Sequence, residues 1–297
     1  MAEETMSSLS GQKPVFRFAP SPNGRLHLGH ALSAILNHDM AKVVGRFLLR
    51  IEDIDLTRCT PELEHGIYDD LTWLGLTWEQ PVRRQSEHFD EYRAALEKLI
   101  GMGLVYPAFM SRSEIKAFVH TYEAGGKKWP RDPDGAPLYP PLDKRRPAEE
   151  VATLLSSNAT HAWRLDMKKA MSRLVAPLDW EESGSGEKVR IKADPAAWGD
   201  VILSRSDAPS SYHLSVVLDD ALQGVTHLVR GMDLFHATSV HRLLQHVLEL
   251  PAPEYYHHRL VLDENNKKLS KSEGSTSLQA LRDHGSTPSD IRRLLSL

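Results

Sequence analysis

The sequence has a single cysteine, Cys59, among its 297 residues. One thiol cannot form a disulfide within the chain, which fits a reducing compartment, and it excludes a cysteine-rich zinc site. There is no run of about 18 apolar residues, which excludes a transmembrane helix. The first residues, MAEETMSSLSGQK, lack the cationic start and apolar block of a secretory signal. We therefore expect a disordered leader over residues 1–13 and a cytoplasmic protein.

The chain also lacks the basic excess typical of many nucleic-acid-binding proteins, since its formal net charge is −4. Short clusters of basic residues are still candidate contacts for a polyanion. They are Arg83–Arg84, Lys127–Lys128 with Arg131, Lys144–Arg145–Arg146 and Arg292–Arg293. Solvated surface charge is the commoner explanation for any one such cluster, so none of them alone predicts RNA binding.

Segments typical of strands and helices alternate along the first hundred residues. The apolar spacing predicts strands over residues 15–19 and 47–51, with a helix over residues 28–44 between them. A further helix is expected over residues 87–102, with Ser86 as its cap. Such alternation predicts an α/β fold with a parallel sheet, whose ligands bind at the carboxyl ends of its strands.

After residue 105 the alternation stops, and prolines and glycines accumulate. Aromatic residues, among them Trp129 and Trp163, run through this stretch, so we interpret residues 105–190 as an irregular inserted subdomain rather than a linker. Strands and helices are predicted again at residues 201–203, 212–222, 227–229, 234–250 and 260–262. Short helical segments are expected at the end of the chain.

Two short segments carry candidate chemistry. His27-Leu-Gly-His30 begins the first predicted helix, where backbone N–H groups can bind an anion and Gly29 allows close approach. Lys268-Leu-Ser-Lys271-Ser, near the other end, suits a polyphosphate whose charge grows as a phosphoanhydride breaks. Taken singly, each also fits an ordinary helix start or a solvated basic loop.

Together, in this order and separation, the two segments resemble the HIGH and KMSKS signatures of the class I aminoacyl-tRNA synthetases. This resemblance implies a Rossmann-like catalytic domain with a parallel sheet, which attaches an amino acid to the α-phosphate of ATP and releases pyrophosphate. It implies that His27 and His30 stabilise the phosphate and that Lys271, with Lys268 nearby, follows the leaving group. The ATP-binding residues would be Pro20, His27, Gly29, His30 and Lys271. Mg²⁺ is expected on the ATP rather than in a protein cage.

Longer motifs narrow the resemblance to the glutamyl group. They are RFAPSPNG at residues 17–24, RIEDID at 50–55, YHLSVVLDD at 212–220 and VRGMD at 229–233. A dicarboxylic amino acid needs cations for its carboxylates and an acid for its ammonium, and arginines can pair with carboxylates in a bidentate manner. The resemblance implies the same set around glutamate: Arg17, Ala19, Ser21, Glu52, Tyr212 and Arg230. Structural ion pairs for the arginines and a surface position for Glu52 are the alternatives.

Only 25 residues follow Ser272, where complete glutamyl-tRNA synthetases carry a helical anticodon-binding domain. The chain therefore resembles the glutamyl-Q tRNA(Asp) synthetases, truncated paralogues that activate glutamate without tRNA and esterify it to queuosine in the anticodon of tRNA(Asp). Val216 favours this group, since the full synthetases usually have Asn there. The alternatives are a short or partial glutamyl-tRNA synthetase that charges tRNA 3′ ends, and a non-catalytic paralogue that binds glutamate or a nucleotide. We expect a monomer without membrane contacts.

The sequence departs from this group at two places. Many members bind zinc in the insertion through a Cys-x-Cys pair and a later Tyr and Cys, whereas here Ala108, Met110 and Asp143 stand at the cysteine positions. Ala and Met cannot hold zinc in a tetrahedral site, so no metal is predicted, and the insertion is expected to depend on aromatic and proline packing. His30 stands where the paralogues often have Ser, which restores the full HxGH pattern.

The predicted organisation has five segments. They are a leader over residues 1–13, the first half of a nucleotide-binding catalytic domain over 14–104, an insertion over 105–190, the second half over 191–250, and the lysine loop with C-terminal helices over 251–297.

Overall fold

The computed structural model describes residues 13–262 and 276–297. Its strands are β1 (Val15–Phe18), β2 (Arg46–Ile51), β3 (Glu79–Arg84), β4 (Val105–Ala108), β5 (Ala162–Leu165), β6 (Asp179–Glu182), β7 (Val189–Lys192), β8 (Ile202–Ser204), β9 (His227–Gly231) and β10 (Glu254–His258). Its helices are α1 (Leu28–Val44), α2 (Pro61–Trp73), α3 (Phe89–Gly101), α4 (Arg112–Ala124), α5 (Ala148–Ser156), α6 (Met167–Met171), α7 (Tyr212–Leu222), α8 (Thr238–Leu248), α9 (Leu278–Asp283) and α10 (Pro288–Leu294). Within these described ranges, no helix is long and apolar enough to cross a membrane.

A seven-stranded sheet in the order β3-β2-β1-β9-β10-β6-β7 forms the centre of the fold. Its neighbouring strands are parallel except for β6 and β7, which pair antiparallel. The chain first builds outward from β1 through β2 and β3, and it later places β9 and β10 on the other side of β1. Strand order thus reverses between β1 and β9, which is where open α/β sheets bind ligands. The predicted α/β fold with a parallel sheet is confirmed, with the antiparallel strand β7 added at one edge.

The middle of this sheet is buried on both faces. Strand β1 is buried along its whole length, and β2 is buried after its first residue, as expected for parallel strands covered by helices. Phe16, Ile35 and Leu49 share one apolar cluster with Leu278 and Ile291, through which α9 and α10 pack onto the domain. The C-terminal helices therefore belong to the same core as the first βα unit.

Two predicted helices have the observed bounds, and other elements differ from the prediction. Helices α1 and α7 begin and end where the sequence predicts. Ser86 does not cap α3, because its N and Oγ instead donate to the carboxylate of Asp53 at 2.8 and 2.6 Å. The strand expected over residues 260–262 is wrong, since the strand that completes this part of the sheet is β10. Its sequence, EYYHH, lacks aliphatic residues: Tyr255 packs in an apolar cluster, whereas His257 belongs to a buried polar network.

The insertion contains more regular structure than its prolines and glycines indicate. Helices α4, α5 and α6 lie within it, and β4 and β5 form a three-stranded antiparallel sheet with β8. Residues 179–192, which the sequence assigns to the insertion, add β6 and β7 to the central sheet instead.

Asp143 is a central polar residue of the insertion, and only 4% of its surface is exposed. Its carboxylate accepts hydrogen bonds from the N–H of Phe109 at 2.8 Å, from Arg146 Nε at 2.6 Å and from the hydroxyl of Tyr139. Burial opposes ionisation, but the Tyr139 and Arg146 hydrogen bonds hold the pKa of Asp143 below its usual range. The insertion thus depends on a carboxylate-centred cluster in addition to the predicted aromatic packing, which includes the edge-on contact of Trp129 with Tyr122.

Candidate active site

A cavity of about 600 Å³ lies at the carboxyl ends of β1, β2, β9 and β10. Ten residues that the sequence predicts for the site line it: Arg17, Ala19, Pro20, Ser21, His27, Gly29, His30, Glu52, Tyr212 and Arg230. The other two, Lys268 and Lys271, lie outside the described residues. The cavity is at the point where strand order reverses, so the fold brings together side chains that are more than 200 positions apart.

The two histidines of the HxGH segment form the cap of α1. His27 Nδ1 accepts from the N–H of Gly29 at 3.1 Å, and His30 Nδ1 accepts from the N–H of His27 at 3.2 Å. A neutral imidazole that accepts at Nδ1 carries its proton on Nε2. Both rings therefore present an Nε2–H donor, in addition to the backbone N–H groups of the helix start.

The packing of α1 also favours glycine at position 29, in addition to the close approach of a ligand. A Cβ at this position would lie 3.0 Å from Cε1 of His27, which is closer than nearly all real contacts. The glycine thus leaves room for the imidazole that caps the helix.

Arg17 and Glu52 are held by buried charges behind the cavity. Asp220 Oδ1 accepts from Arg17 Nε at 3.1 Å and from Arg50 Nη1 at 2.8 Å, and Arg50 Nη2 donates to Glu52 at 3.1 Å. The Arg50 side chain is fully buried. Burial disfavours its charge, yet Asp220, Glu52 and Asp219 raise the pKa of Arg50. Arg50, Asp219 and Asp220 were not among the predicted site residues.

Glu52 follows directly on β2 and is 8% exposed. Its burial raises the pKa of the carboxyl above its ordinary 4.5, even though Arg50 and Arg17 oppose the shift. An ammonium group bound beside it would favour the ionised form. Ser21 ties the loop after β1 to this position, because its hydroxyl donates to the backbone oxygen of Glu52 at 2.6 Å.

Arg230 lies at the carboxyl end of β9, and its hydrogen-bond partners in the described part of the chain are all neutral. Its Nη2 donates to Thr238 Oγ1 at 2.7 Å, its Nε donates to His257 Nε2 at 3.1 Å, and its Nη1 lies 3.1 Å from His241 Nδ1. Among residues 13–262 and 276–297, no carboxylate forms an ion pair with it, although it is only 3% exposed. Burying an arginine without a counter-ion costs free energy. An anionic ligand bound next to Arg230 would offset this cost.

The histidines around Arg230 are neutral. Burial and the adjacent guanidinium lower the pKa of His241 well below 6.5 and that of His213 to about 4. His241 Nδ1 can then accept from Arg230, and its Nε2 lies 3.2 Å from His213 Nδ1. The ring of Tyr212 packs edge-on against His241, and burial raises the pKa of Tyr212, against the opposing charge of Arg230. Tyr212 therefore remains a neutral phenol at the cavity wall.

A second cavity of about 480 Å³ adjoins the first. Ser21, Asn23, Glu52 and Tyr212 line both cavities. The far side of the second cavity carries charged and aromatic side chains from the insertion and its surroundings: Arg58, Tyr139, Arg164, Asp200 and Arg205.

Two predicted features lie away from these cavities. Val216 is 1% exposed in the apolar cluster beneath α7 and α8 and lines neither cavity. Ala108 and Met110, at the predicted cysteine positions, are next to the Asp143 cluster, where the N–H of Met110 lies 3.2 Å from the Tyr139 hydroxyl. In the part of the chain that the structure describes, no group of three or more His, Cys, Asp or Glu side chains could hold a metal ion.

Known proteins are similar to this chain in sequence and in architecture. Residues 14–297 match the family described as tRNA synthetases class I (E and Q), catalytic domain. The chain is 47% identical to the glutamyl-Q tRNA(Asp) synthetase of Rhodobacter capsulatus, over 95% of this chain and 100% of that protein. It is 34% identical to the glutamate–tRNA ligase of Prochlorococcus marinus over 95% of this chain, but it spans only 57% of that protein.

A solved structure is also similar. The glutamate tRNA ligase from Elizabethkingia meningosepticum, crystallised in complex with its amino acid, has a TM-score of 0.76 at 27% identity. The match covers 93% of this chain and 59% of that one.

Proposed function

The chain belongs to the class I tRNA synthetases (E and Q), and on this premise we propose that it activates L-glutamate with ATP and transfers it to queuosine in the anticodon of tRNA(Asp). Members of this family are ATP-dependent ligases, so the activation step is an adenylation. The α-carboxylate of glutamate attacks the α-phosphorus of ATP in line, a P–O bond forms to the carboxylate, and pyrophosphate leaves. Such a step depends mainly on positioning and charge stabilisation.

The observation that carries the proposal for glutamate is the environment of Arg230. This guanidinium is buried at the cavity wall, and its partners among the described residues are all neutral. A carboxylate ligand would supply the counter-charge that these residues lack. Glu52, on the other side of the same cavity, suits the ammonium group. Arg17 and Tyr212 complete a set that fits a dicarboxylic amino acid, with Ser21 and the backbone of Ala19 beside them.

We assign the ATP phosphates to the start of α1. His27 and His30 offer Nε2–H donors there, and Pro20 and Gly29 line the same wall. Mg²⁺ would arrive with the nucleotide and balance the charge of its phosphates. These donors are fixed before the reaction, so they need no reorganisation as charge develops on the α-phosphate.

Lys271, with Lys268, is proposed to follow the departing pyrophosphate. Described residues on both sides of these two lysines support the proposal. On the N-terminal side, Val261 lines the cavity. On the C-terminal side, Ser277 forms a β-bridge with His27, and the N–H of Leu278 donates to the backbone oxygen of Leu26 at 2.8 Å. A Lys271→Ala variant should bind glutamate normally and form the adenylate slowly.

The choice of queuosine as acceptor is supported by two observations. The glutamyl-Q tRNA(Asp) synthetase of Rhodobacter capsulatus is similar to this chain over its full length. The second cavity shares four lining residues with the proposed glutamate site, so an acceptor nucleoside bound there would lie beside the activated amino acid. A short glutamyl-tRNA synthetase and a non-catalytic paralogue are the other candidates.

The first test is glutamate-dependent exchange of labelled pyrophosphate into ATP, without tRNA. We expect exchange with glutamate and none with glutamine, whose amide brings no charge to Arg230. If correctly folded protein gives no exchange with glutamate, the enzymatic proposal fails and the non-catalytic paralogue is favoured.

A second test identifies the acceptor. Labelled glutamate is offered with tRNA(Asp) that carries queuosine, and with the same tRNA that carries guanosine at that position. Labelling of the queuosine form alone supports the proposal, since both forms have the same 3′ end. Equal labelling of both would indicate 3′-end charging.

A further inference from the structure

A buried carboxylate lies behind Arg230, one imidazole away. Glu182, on β6, accepts from His257 Nδ1 at 2.5 Å, and His257 Nε2 in turn accepts from Arg230 Nε at 3.1 Å. The side chains of Glu182 and His257 are 6% and 0% exposed. The three side chains form a line from the interior of the sheet to the cavity wall.

Each group in this line has one consistent protonation state. Burial opposes the charge of Glu182, but its hydrogen bonds from the His257 ring and from the N–H groups of His257 and Gly184 lower its pKa to about 2. Burial lowers the pKa of His257 below 6.5, although Glu182 opposes this shift. An ionised Glu182 therefore accepts a hydrogen bond from the Nδ1–H of a neutral His257, whose Nε2 lone pair faces Arg230.

We propose that Glu182 is a positioning residue for glutamate binding: it fixes His257 in the Nδ1–H tautomer, and His257 thereby orients Arg230 toward the cavity. This inference rests on the proposed function, because the ligand of Arg230 is taken to be the glutamate side chain. Second-layer carboxylates fix metal-binding histidines in the same physical way. Here the group that is held is a guanidinium.

The arrangement separates orientation from charge. Arg17 is paired directly with Asp220, which neutralises much of its charge. Arg230 is oriented by an imidazole, and its carboxylate lies one ring further away, so its positive charge remains available to a ligand. If the tautomer were reversed, an Nε2–H would face the Nε–H of Arg230, and the two donors would repel each other.

The decisive variant is Glu182→Gln. Both carboxylate oxygens of Glu182 accept hydrogen bonds, whereas a glutamine side chain has one accepting oxygen and one donating NH2 group. One oxygen of Glu182 accepts from the N–H groups of His257 and Gly184. The other accepts from the His257 ring and, at 3.3 Å, from Trp180 Nε1. Glu181→Gln is the matched control, because its side chain is 46% exposed on the same strand. In pyrophosphate exchange we expect the KM for glutamate to rise by about tenfold or more in Glu182→Gln, with the KM for ATP unchanged. The control should match the wild type. An unchanged KM for glutamate in folded Glu182→Gln overturns the proposal.

The tautomer is measured independently, by ¹⁵N NMR of labelled histidine in the ligand-free protein, with a His257 variant for assignment. We expect a proton on Nδ1 of His257 in the wild type and a shift toward Nε2 in Glu182→Gln. A wild-type proton on Nε2 overturns the proposal. Failure of glutamate-dependent exchange in the wild type would refute the proposed function, but this measurement would still test the Glu182–His257 link.

A second pair of variants decides the question if Glu182→Gln does not fold. In His257→Asn the side-chain NH2 group can replace the Nδ1–H donor, but the contact with Arg230 is lost. In His257→Gln the side-chain oxygen can replace Nε2 as the acceptor for Arg230. We expect His257→Gln to retain more glutamate affinity than His257→Asn, with equal ATP affinity. The opposite order contradicts the proposal.

Discussion

Asp220 accepts a hydrogen bond from the Nε of Arg17 at 3.1 Å, with both side chains almost fully buried. The same carboxylate oxygen accepts from Arg50, which also contacts Glu52. One carboxylate on α7 therefore supports the side chains that end β1 and β2 at the cavity. The charges of Arg17 and Arg50 hold the pKa of Asp220 below its usual range, although burial opposes this.

Replacing Asp220 should therefore affect stability and binding together. In Asp220→Asn two buried arginines lose a shared counter-charge, and breaking a buried pair on one side costs about 3–5 kcal/mol. We expect a loss of this order in urea unfolding and a raised KM for glutamate. Asp90→Asn, at a carboxylate with a side chain 92% exposed, is the control and should change neither. Wild-type stability of Asp220→Asn would mean that the pair contributes little.

Arg230 should be essential for glutamate and dispensable for ATP. Arg230→Ala is expected to abolish glutamate-dependent exchange while nucleotide binding, followed by calorimetry, survives. Arg230→Lys should also be poor, because an ammonium cannot reproduce the fork that contacts Thr238 and His257. Arg190→Ala, on the exposed strand β7, is the control. Intact glutamate activation in Arg230→Ala would refute the placement of the side-chain carboxylate.

Asp143 gives a test of how the insertion is held together. Asp143→Asn keeps the shape but removes the charge that the Tyr139 hydroxyl and Arg146 contact. Because Arg146 is partly exposed, we expect a loss of only about 1–3 kcal/mol in the free energy of unfolding. A strong chelator should leave the wild-type Tm unchanged. A chelator-induced fall in Tm would show that a metal contributes, contrary to the prediction from Ala108 and Met110.

The sequence predicts the local features of this protein well. The apolar spacing of α1 and α7 gives their bounds, because each has one face packed on the core, and ten of the twelve predicted site residues line one cavity. The charged network behind that cavity was not predicted, because Arg50 and Asp220 are 170 positions apart and no local pattern links them. His257 and Glu182 were missed for the same reason, and the polar sequence of β10 hides a strand whose side chains are satisfied by distant partners.

The burial of Asp70 on α2 leads us to expect that the free energy of unfolding depends on pH. It is 1% exposed, and burial raises its pKa to about 6, although Arg282 lies 3.4 Å away and opposes the shift. The unfolded chain titrates near 3.8, so the folded state holds a proton that the unfolded state releases between these two values. Stability should therefore fall as pH rises through this window, and the cost is complete above the folded pKa.

Asp70→Asn removes this titration while keeping the shape of the side chain. We expect the variant to be more stable than the wild type by about 1–3 kcal/mol at pH 8, with the difference disappearing near pH 4. Urea unfolding at a series of pH values measures it. The control is Asp69→Asn, a neighbour with a side chain 51% exposed, which should show no such trend. An Asp70→Asn variant less stable than the wild type at pH 8 would show that the Arg282 contact, rather than burial, governs this carboxyl.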